Sequence, residues 1–121
     1  MESISVFQEV YRRVLADIVS GRLAGGSRPD ERELAKYYRI NINMARRVIQ
    51  QLKVQKLIFL DQDGRARVTR DESSLEACRQ AVFDQMADDF FQDLREIGIG
   101  RAEAIDRIIK KGQKRYTEAE S

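Results

Sequence analysis

The chain has no histidine and one cysteine, Cys78. Without histidine, the commonest general base and the commonest metal ligand are missing. One cysteine excludes an internal disulfide framework and a zinc cluster. The seven glycines are scattered and build no phosphate-cradling loop. No apolar run approaches the roughly 18 residues that a membrane helix needs. The opening Met1-Glu2-Ser3-Ile4-Ser5 has neither the basic n-region nor the apolar h-region of a secretory signal. The remaining ionisable groups show no spacing that can be named as catalytic. The expectation is a cytoplasmic protein that is not an enzyme, with no metal, no cofactor and no membrane partner.

What is present suits one compact domain, or a small domain with an appendage: 121 residues, 42% of them hydrophobic. A net charge of +2 hides an asymmetry. Residues 1–70 carry 14 Lys/Arg against 8 Asp/Glu, and residues 71–121 carry 8 against 12. The basic half suits a polyanion, which would repel the acidic half.

Residues 28–52 organise the chain. Pro29 suits a helix entry and Asp30 can cap a first helix, with Leu34, Ala35 and Tyr38 on its buried stripe. Arg39-Ile40 breaks the periodicity, and Asn41 is a second N-cap candidate. Ala45, Val48, Ile49 and Leu52 then recur at i, i+3, i+4 and i+7, an amphipathic helix. Its other face carries Asn43, Arg46, Arg47, Gln50 and Lys53. Amides and guanidinium groups are the types that hydrogen-bond base edges and phosphates. Two amphipathic helices and a turn also occur in many all-α domains, and surface arginines are usually only solvated.

The flanking segments favour a nucleic-acid role. Ser5 to Ser20 reads as a helix with paired apolar positions from Val6-Phe7 to Ile18-Val19, stopped at Gly21. Arg22 to Ser27 reads as a loop with Gly25-Gly26 as its flexible point. Leu57 to Leu60, a turn with Asp63-Gly64 at its tip, and Arg65 to Thr69 read as a β-hairpin. Arg65 and Arg67 alternate onto one strand face. That face is either a wing on a phosphate backbone or an edge strand defended by charge.

Helix, helix-turn-helix and hairpin, over residues 6–69, resemble the DNA-binding domain of the GntR family of bacterial transcriptional regulators. The family runs roughly Gly-x-Leu-x-x-Gly and then Leu-Pro-Ser-x-Arg-x-Leu-Ala. Here stand Gly21-Arg22-Leu23-Ala24-Gly25-Gly26 and Arg28-Pro29-Asp30-Glu31-Arg32-Glu33-Leu34-Ala35. The family's polar cap, Thr or Asn pair and recognition-helix Arg fall on Asn41, Asn43, Met44 and Arg46, followed by Arg47. Its Leu-Ile strand and Gly-rich wing fall on Leu57-Ile58 and Gly64-Arg65-Ala66. Four positions depart from the pattern: Arg28 for Leu, Arg39 for the turn Gly, Lys56 for the Gly ending the recognition helix, and Ile42 at a base-reading place. The resemblance implies that Arg32, the recognition helix and the wing tip touch DNA. It also implies a dimer on a palindromic operator.

Glu72 to Ile97 reads as one long helix with Leu75, Cys78, Val82, Met86, Phe90, Leu94 and Ile97 on a stripe that Phe83, Ala87 and Phe91 widen. A shorter helix carrying Ala102, Ile105, Ile108 and Ile109 is expected to end near Gly112. These helices either cover the winged helix of their own chain or dimerise. Phe83, Phe90 and Phe91 are much apolar surface for one helix pair to hide. A short helical appendage resembles the YtrA-like subfamily, where it serves dimerisation.

The expected fold is mainly α with a small β-hairpin. A winged helix-turn-helix domain spans 1–71, a two-helix dimerisation region 72–112 and a flexible tail 113–121. Arg32, Arg47, Arg65 and Arg67 are assigned mainly to phosphates, and Asn43, Arg46 and Gln50 to base edges. Asn41, Met44 and Gly64 complete the expected DNA face. Val82, Phe83, Met86, Phe90, Phe91, Leu94, Ile105 and Ile109 are the expected dimer contacts. The expected partners are an operator in double-stranded DNA and a second copy of the chain. A small-molecule effector is allowed for, although no polar constellation marks its pocket. The rival reading is a winged helix that has lost specific DNA binding and only docks on protein.

Overall fold

The computed structural model describes residues 5–120, with side chains through Lys114. Residues 1–4 of the stretch read for a leader, and Ser121, lie outside the described residues. Two compact units divide inside one helix, the first through Val82 and the second from Phe83.

The first unit begins with α1, Val6–Val19. Ser5 Oγ accepts from the Gln8 backbone N–H at 3.1 Å and Gln8 Oε1 accepts from the Ser5 N–H at 3.4 Å, so two otherwise orphaned donors are satisfied. Val10, Val14 and Ile18 recur every four residues and are buried. Helix α2, Glu31–Tyr38, starts at Asp30, whose Oδ1 accepts from the N–H groups of Arg32 and Glu33 at 2.7 and 3.2 Å. Its buried residues are Leu34 and Tyr38. The Tyr38 hydroxyl donates to Asp17 at 2.5 Å, tying α2 to α1. Burial first, and that bond second, push this hydroxyl far above its ordinary pKa.

Helix α3, Ile42–Val54, is capped by Asn41, whose Oδ1 accepts from the Met44 N–H at 2.8 Å. Its buried face is Ala45, Val48, Ile49 and Leu52. Two of the four departures from the family pattern stand at left-handed positions, Arg39 at φ 56° and Lys56 at φ 62°. Lys56 ends α3 in a Schellman turn: its N–H donates to the Lys53 carbonyl, and the Leu57 N–H to Leu52.

Strands β1, Ile58–Leu60, and β2, Ala66–Val68, pair antiparallel with Ile58 opposite Val68 and Leu60 opposite Ala66. The tip is a type I turn followed by a glycine bulge. The Gly64 N–H donates to the Asp61 carbonyl at 2.9 Å, and the Asp61 N–H donates to the Arg65 carbonyl at 2.8 Å. Gly64, at φ 77°, supplies the left-handed residue this loop requires.

Gly25-Gly26 is a correction to the expected flexible point. The Gly26 N–H donates to the Val68 carbonyl at 2.7 Å, and the Val68 N–H to the Ser27 carbonyl at 2.9 Å, so the loop is tied to β2. A Cβ on Gly26 would fall 2.4 Å from Arg70 Nη2. Gly26 stands at φ 84°, where an L side chain is strained, and a Cβ on Gly25 would lie 3.1 Å from the Thr69 carbonyl oxygen.

The core joins the buried faces of α1, α2 and α3 to Leu57, Ile58 and Val68. Leu75 and Cys78, from the start of α4 (Glu72–Glu96), pack against it. The Arg79 guanidinium donates to the Val19 carbonyl at 3.1 Å. The first compact unit thus extends past the hairpin into α4. Burial pushes Tyr11 up to about 12 and raises the Cys78 thiol too, as befits a small core residue.

The second unit holds the rest of α4 and helix α5, Arg101–Glu120. The Ile99 N–H donates to the Leu94 carbonyl at 2.9 Å across the turn, and the Arg101 guanidinium lies 4.3 Å from the centre of the Phe91 ring. Helix α5 corrects the expected helix end near Gly112, because it continues to Glu120. A single interior glycine costs a helix only about 1 kcal/mol. Lys111, Gln113 and Lys114 around it favour helix, and the pairs Arg107–Glu103 and Lys110–Asp106, at 2.6 and 3.0 Å, support the preceding turns.

Candidate nucleic-acid interface

The arginine and amide face of α3 is defined by what the opposite face buries. With Ala45, Val48, Ile49 and Leu52 in the core, Asn43, Arg46, Arg47 and Gln50 are exposed, and Met44 is half-buried. Asn41 is exposed too, but its side-chain oxygen is engaged in the cap.

Arg46 and Arg47 are both held in place. Arg46 Nε donates to Glu31 Oε2 at 2.5 Å, and Arg46 Nη1 donates to Asn43 Oδ1 at 3.4 Å. The Arg47 guanidinium sits 4.3 Å from the centre of the Phe7 ring, a cation–π contact between α3 and α1. Arg32, in the first turn of α2, is exposed, and its side chain has no polar partner among the described residues. The same holds for Gln50.

The wing separates the two arginines that strand alternation groups together. Gly64 and Arg65 are exposed at the tip, and the Arg65 side chain has no partner among the described residues. Arg67 is turned back. Its Nε donates to Asp61 Oδ2 at 2.6 Å and its Nη1 to the Gly26 carbonyl at 2.8 Å. Asp61 also accepts from the N–H groups of Arg65 and Asp63. The Arg65 backbone bond first, then the Arg67 guanidinium, hold its carboxyl below the usual carboxylate range. Arg67 therefore fastens the wing to the preceding loop.

Glu31 is the participant that sequence reading missed. It lies fifteen positions before Arg46 on another helix, so no periodicity joins them. The signal available was the helix-turn-helix itself, which packs α2 against α3.

Of the residues expected to dimerise, Phe83, Met86, Phe90, Ile105 and Ile109 are exposed, while Val82, Phe91 and Leu94 are half-buried. A cleft of about 210 Å³ lies beside α2, lined by Leu23, Pro29, Leu34, Tyr37 and Tyr38 together with Asp17, Arg22, Arg28, Asp30 and Glu33. It is smaller than the roughly 300–1,000 Å³ of ligand pockets. Its inner carboxylate, Asp17, is already engaged by Tyr38 and Arg22. Among the described residues no group of His, Cys, Asp and Glu is placed to hold a metal ion. No helix there is long and apolar enough to cross a membrane.

Comparison with solved structures gives the same fold. A GntR family transcriptional regulator from Listeria monocytogenes is 20% identical, with a TM-score of 0.71 over 91% of this chain and 97% of that one. A transcriptional regulator from Oenococcus oeni is 19% identical, with a TM-score of 0.64 over 92% of each chain. BusR of S. agalactiae, in complex with its busAB-promotor DNA, is 13% identical, with a TM-score of 0.52 over 98% of this chain and 58% of that one. No curated protein matches the chain. The family model described as "Bacterial regulatory proteins, gntR family" matches residues 7–68, from the Phe7 that Arg47 stacks on to the Val68 that closes the wing. That span is just over half of the sequence, and the chain belongs to this family of DNA-binding transcription regulators.

Proposed function

We propose that the chain is a homodimeric repressor that binds a palindromic operator in the cytoplasm and occludes a promoter, in the manner of the YtrA-like subfamily. The observation that carries the reading is the exposed Asn43-Arg46-Gln50 face of α3, backed by a fully buried opposite face. Asn and Gln can pair bidentately with adenine and Arg with guanine. Arg32, Arg47 and Arg65 take phosphates, which fix register without reading sequence. The BusR fold relative, solved with its promoter DNA, supports the same use of the fold.

The dimer reading rests on the second unit. Phe83, Met86, Phe90, Ile105, Ile108 and Ile109 are large apolar side chains left exposed on α4 and α5. The end of α4 is acidic, through Asp84, Asp88, Asp89, Asp93 and Glu96, whereas α5 carries Arg101, Arg107, Lys110, Lys111 and Lys114. The acidic end of α4 and the Lys111 and Lys114 of α5, which have no carboxylate partner among the described residues, suit a second copy, α4 of one against α5 of the other. A winged helix that only docks on protein is the alternative.

The test is selection of duplexes from a random-sequence library, followed by titration. We expect an inverted repeat to be enriched and binding to weaken steeply with salt. Arg46→Ala should lose about 1–3 kcal/mol on the selected duplex and relax preference at one base pair per half-site. No enriched duplex, with binding indifferent to salt, would leave the protein-docking alternative.

A further inference from the structure

The Glu31–Arg46 pair does more than neutralise charge. Both side chains remain substantially exposed, 59% for Arg46 and 42% for Glu31, so the pair contributes little to folding. Its consequence is geometric. A guanidinium has five N–H donors on two usable edges: the side edge of Nε and Nη2, and the end edge of Nη1 and Nη2. Glu31 Oε2 occupies Nε–H at 2.5 Å and so closes the side edge. Asn43 takes only one of the two hydrogens on Nη1, at 3.4 Å. One hydrogen on Nη1 and both on Nη2 are left, one of the latter on the side edge, so the donors still available as a pair lie at the Nη1/Nη2 end.

We infer that Glu31 is a positioning residue that presents the Nη1/Nη2 edge of Arg46 to a guanine and thereby sets the ratio of specific to random binding. This rests on the proposed role of Arg46 as a base reader. Guanine offers O6 and N7 side by side in the major groove, a match for one fork in one orientation. A phosphate accepts either edge, so an untethered Arg46 gains contacts on any sequence. Releasing Arg46 therefore strengthens random binding while weakening the matched contact.

The experiment compares the full-length protein with Glu31→Ala, Arg46→Ala and the double variant. Each is titrated at one salt concentration on the duplex recovered by selection, on the same duplex with the contacted guanine replaced, and on a random duplex. Glu31→Ala should lower the ratio of selected to random affinity about tenfold, the size of one bidentate base contact, partly through tighter random binding. In the Arg46→Ala background the same change should leave the ratio unmoved. Any effect of Glu31 on the α2 terminus alone persists in both backgrounds, so the cycle removes it. Glu31→Gln, which keeps an acceptor oxygen, should recover part of the ratio. An equal shift with and without Arg46, or no shift at all, overturns the positioning role. Arg46→Ala with unchanged affinity and preference overturns the base-reading role itself, a separate result.

Discussion

The two compact units solve the problem of burial differently. The first closes its own core: Val14, Val48, Leu52 and Val68 are almost fully enclosed by residues of the same unit. The second buries only Ala104 among its described hydrophobic residues and leaves Phe83, Met86 and Phe90 more than 45% exposed. Isolated apolar residues on a surface need no explanation, but this many on one helix pair do. Composition follows the same division, basic where the core is complete and acidic where it is not. The first unit encloses its apolar side chains, whereas the second leaves large ones on its surface.

The largest effect expected from this contrast is the loss of the second unit. A chain ending at Val82 keeps Leu75 and Cys78 on the core, together with the Arg79–Val19 bond. It should fold, sediment as a monomer and bind the selected duplex on the order of 10²–10⁴-fold more weakly. A symmetric dimer holds two recognition helices about 34–36 Å apart, so the second half-site binds at high effective concentration. A truncated chain that remains dimeric, or binds the full palindrome as tightly as the intact protein, breaks the contrast.

Much of the first unit was legible because its signals are local. Asp30 and Asn41 cap helices through bonds spanning two or three residues, and the α3 core face follows from a 3.6-residue period. The family pattern added the left-handed sites, since Arg39 and Lys56 fall where relatives carry glycine. Contacts between elements were not legible. Strand alternation places Arg67 on a face but is silent about the Gly26 carbonyl beneath it, 41 residues earlier. Glu31 and Arg46 meet only once α2 packs on α3. In the second unit the period gave the helices, but Gly112 suggested an end that its helix-forming neighbours override.

A smaller effect sharpens the contrast from the side of stability. A left-handed backbone costs an L residue roughly 1–2 kcal/mol, and glycine returns part of that as unfolded-state entropy, about 0.5–1 kcal/mol. Lys56→Gly and Arg39→Gly, both at exposed positions, should therefore each stabilise the first unit by about 0.5–1 kcal/mol. Calorimetry on the Val82 fragment should show its melting temperature rising, by roughly 4–8 °C per kcal/mol for a domain of this size. The dimer affinity of the full chain should not change. A fall in melting temperature would mean that the lysine or arginine side chain makes a contact worth more than the strain.

The smallest effect lies within the wing, between one arginine that is free and one that is fastened. Arg65→Ala should weaken selected and random duplexes equally and lower the slope of log K against log salt by about 0.9, the share of one phosphate contact. Arg67→Ala should leave that slope nearly intact. It removes the bonds to Asp61 and the Gly26 carbonyl, so its mark should be faster amide exchange in the hairpin and in Ser27. The same fastening gives the wing a pH dependence whose sign is fixed. The Asp61 carboxyl is held below its ordinary pKa in the folded state, so its contribution is complete above about pH 4 and lost as pH falls through the lowered folded value. Hairpin protection should therefore drop in acid for the native chain. Asp61→Asn should show the weaker protection already at neutral pH, with no further loss from this group in acid. If Arg67→Ala lowers the salt slope as much as Arg65→Ala does, Arg67 leaves Asp61 for a phosphate on binding, and the wing carries two backbone contacts instead of one.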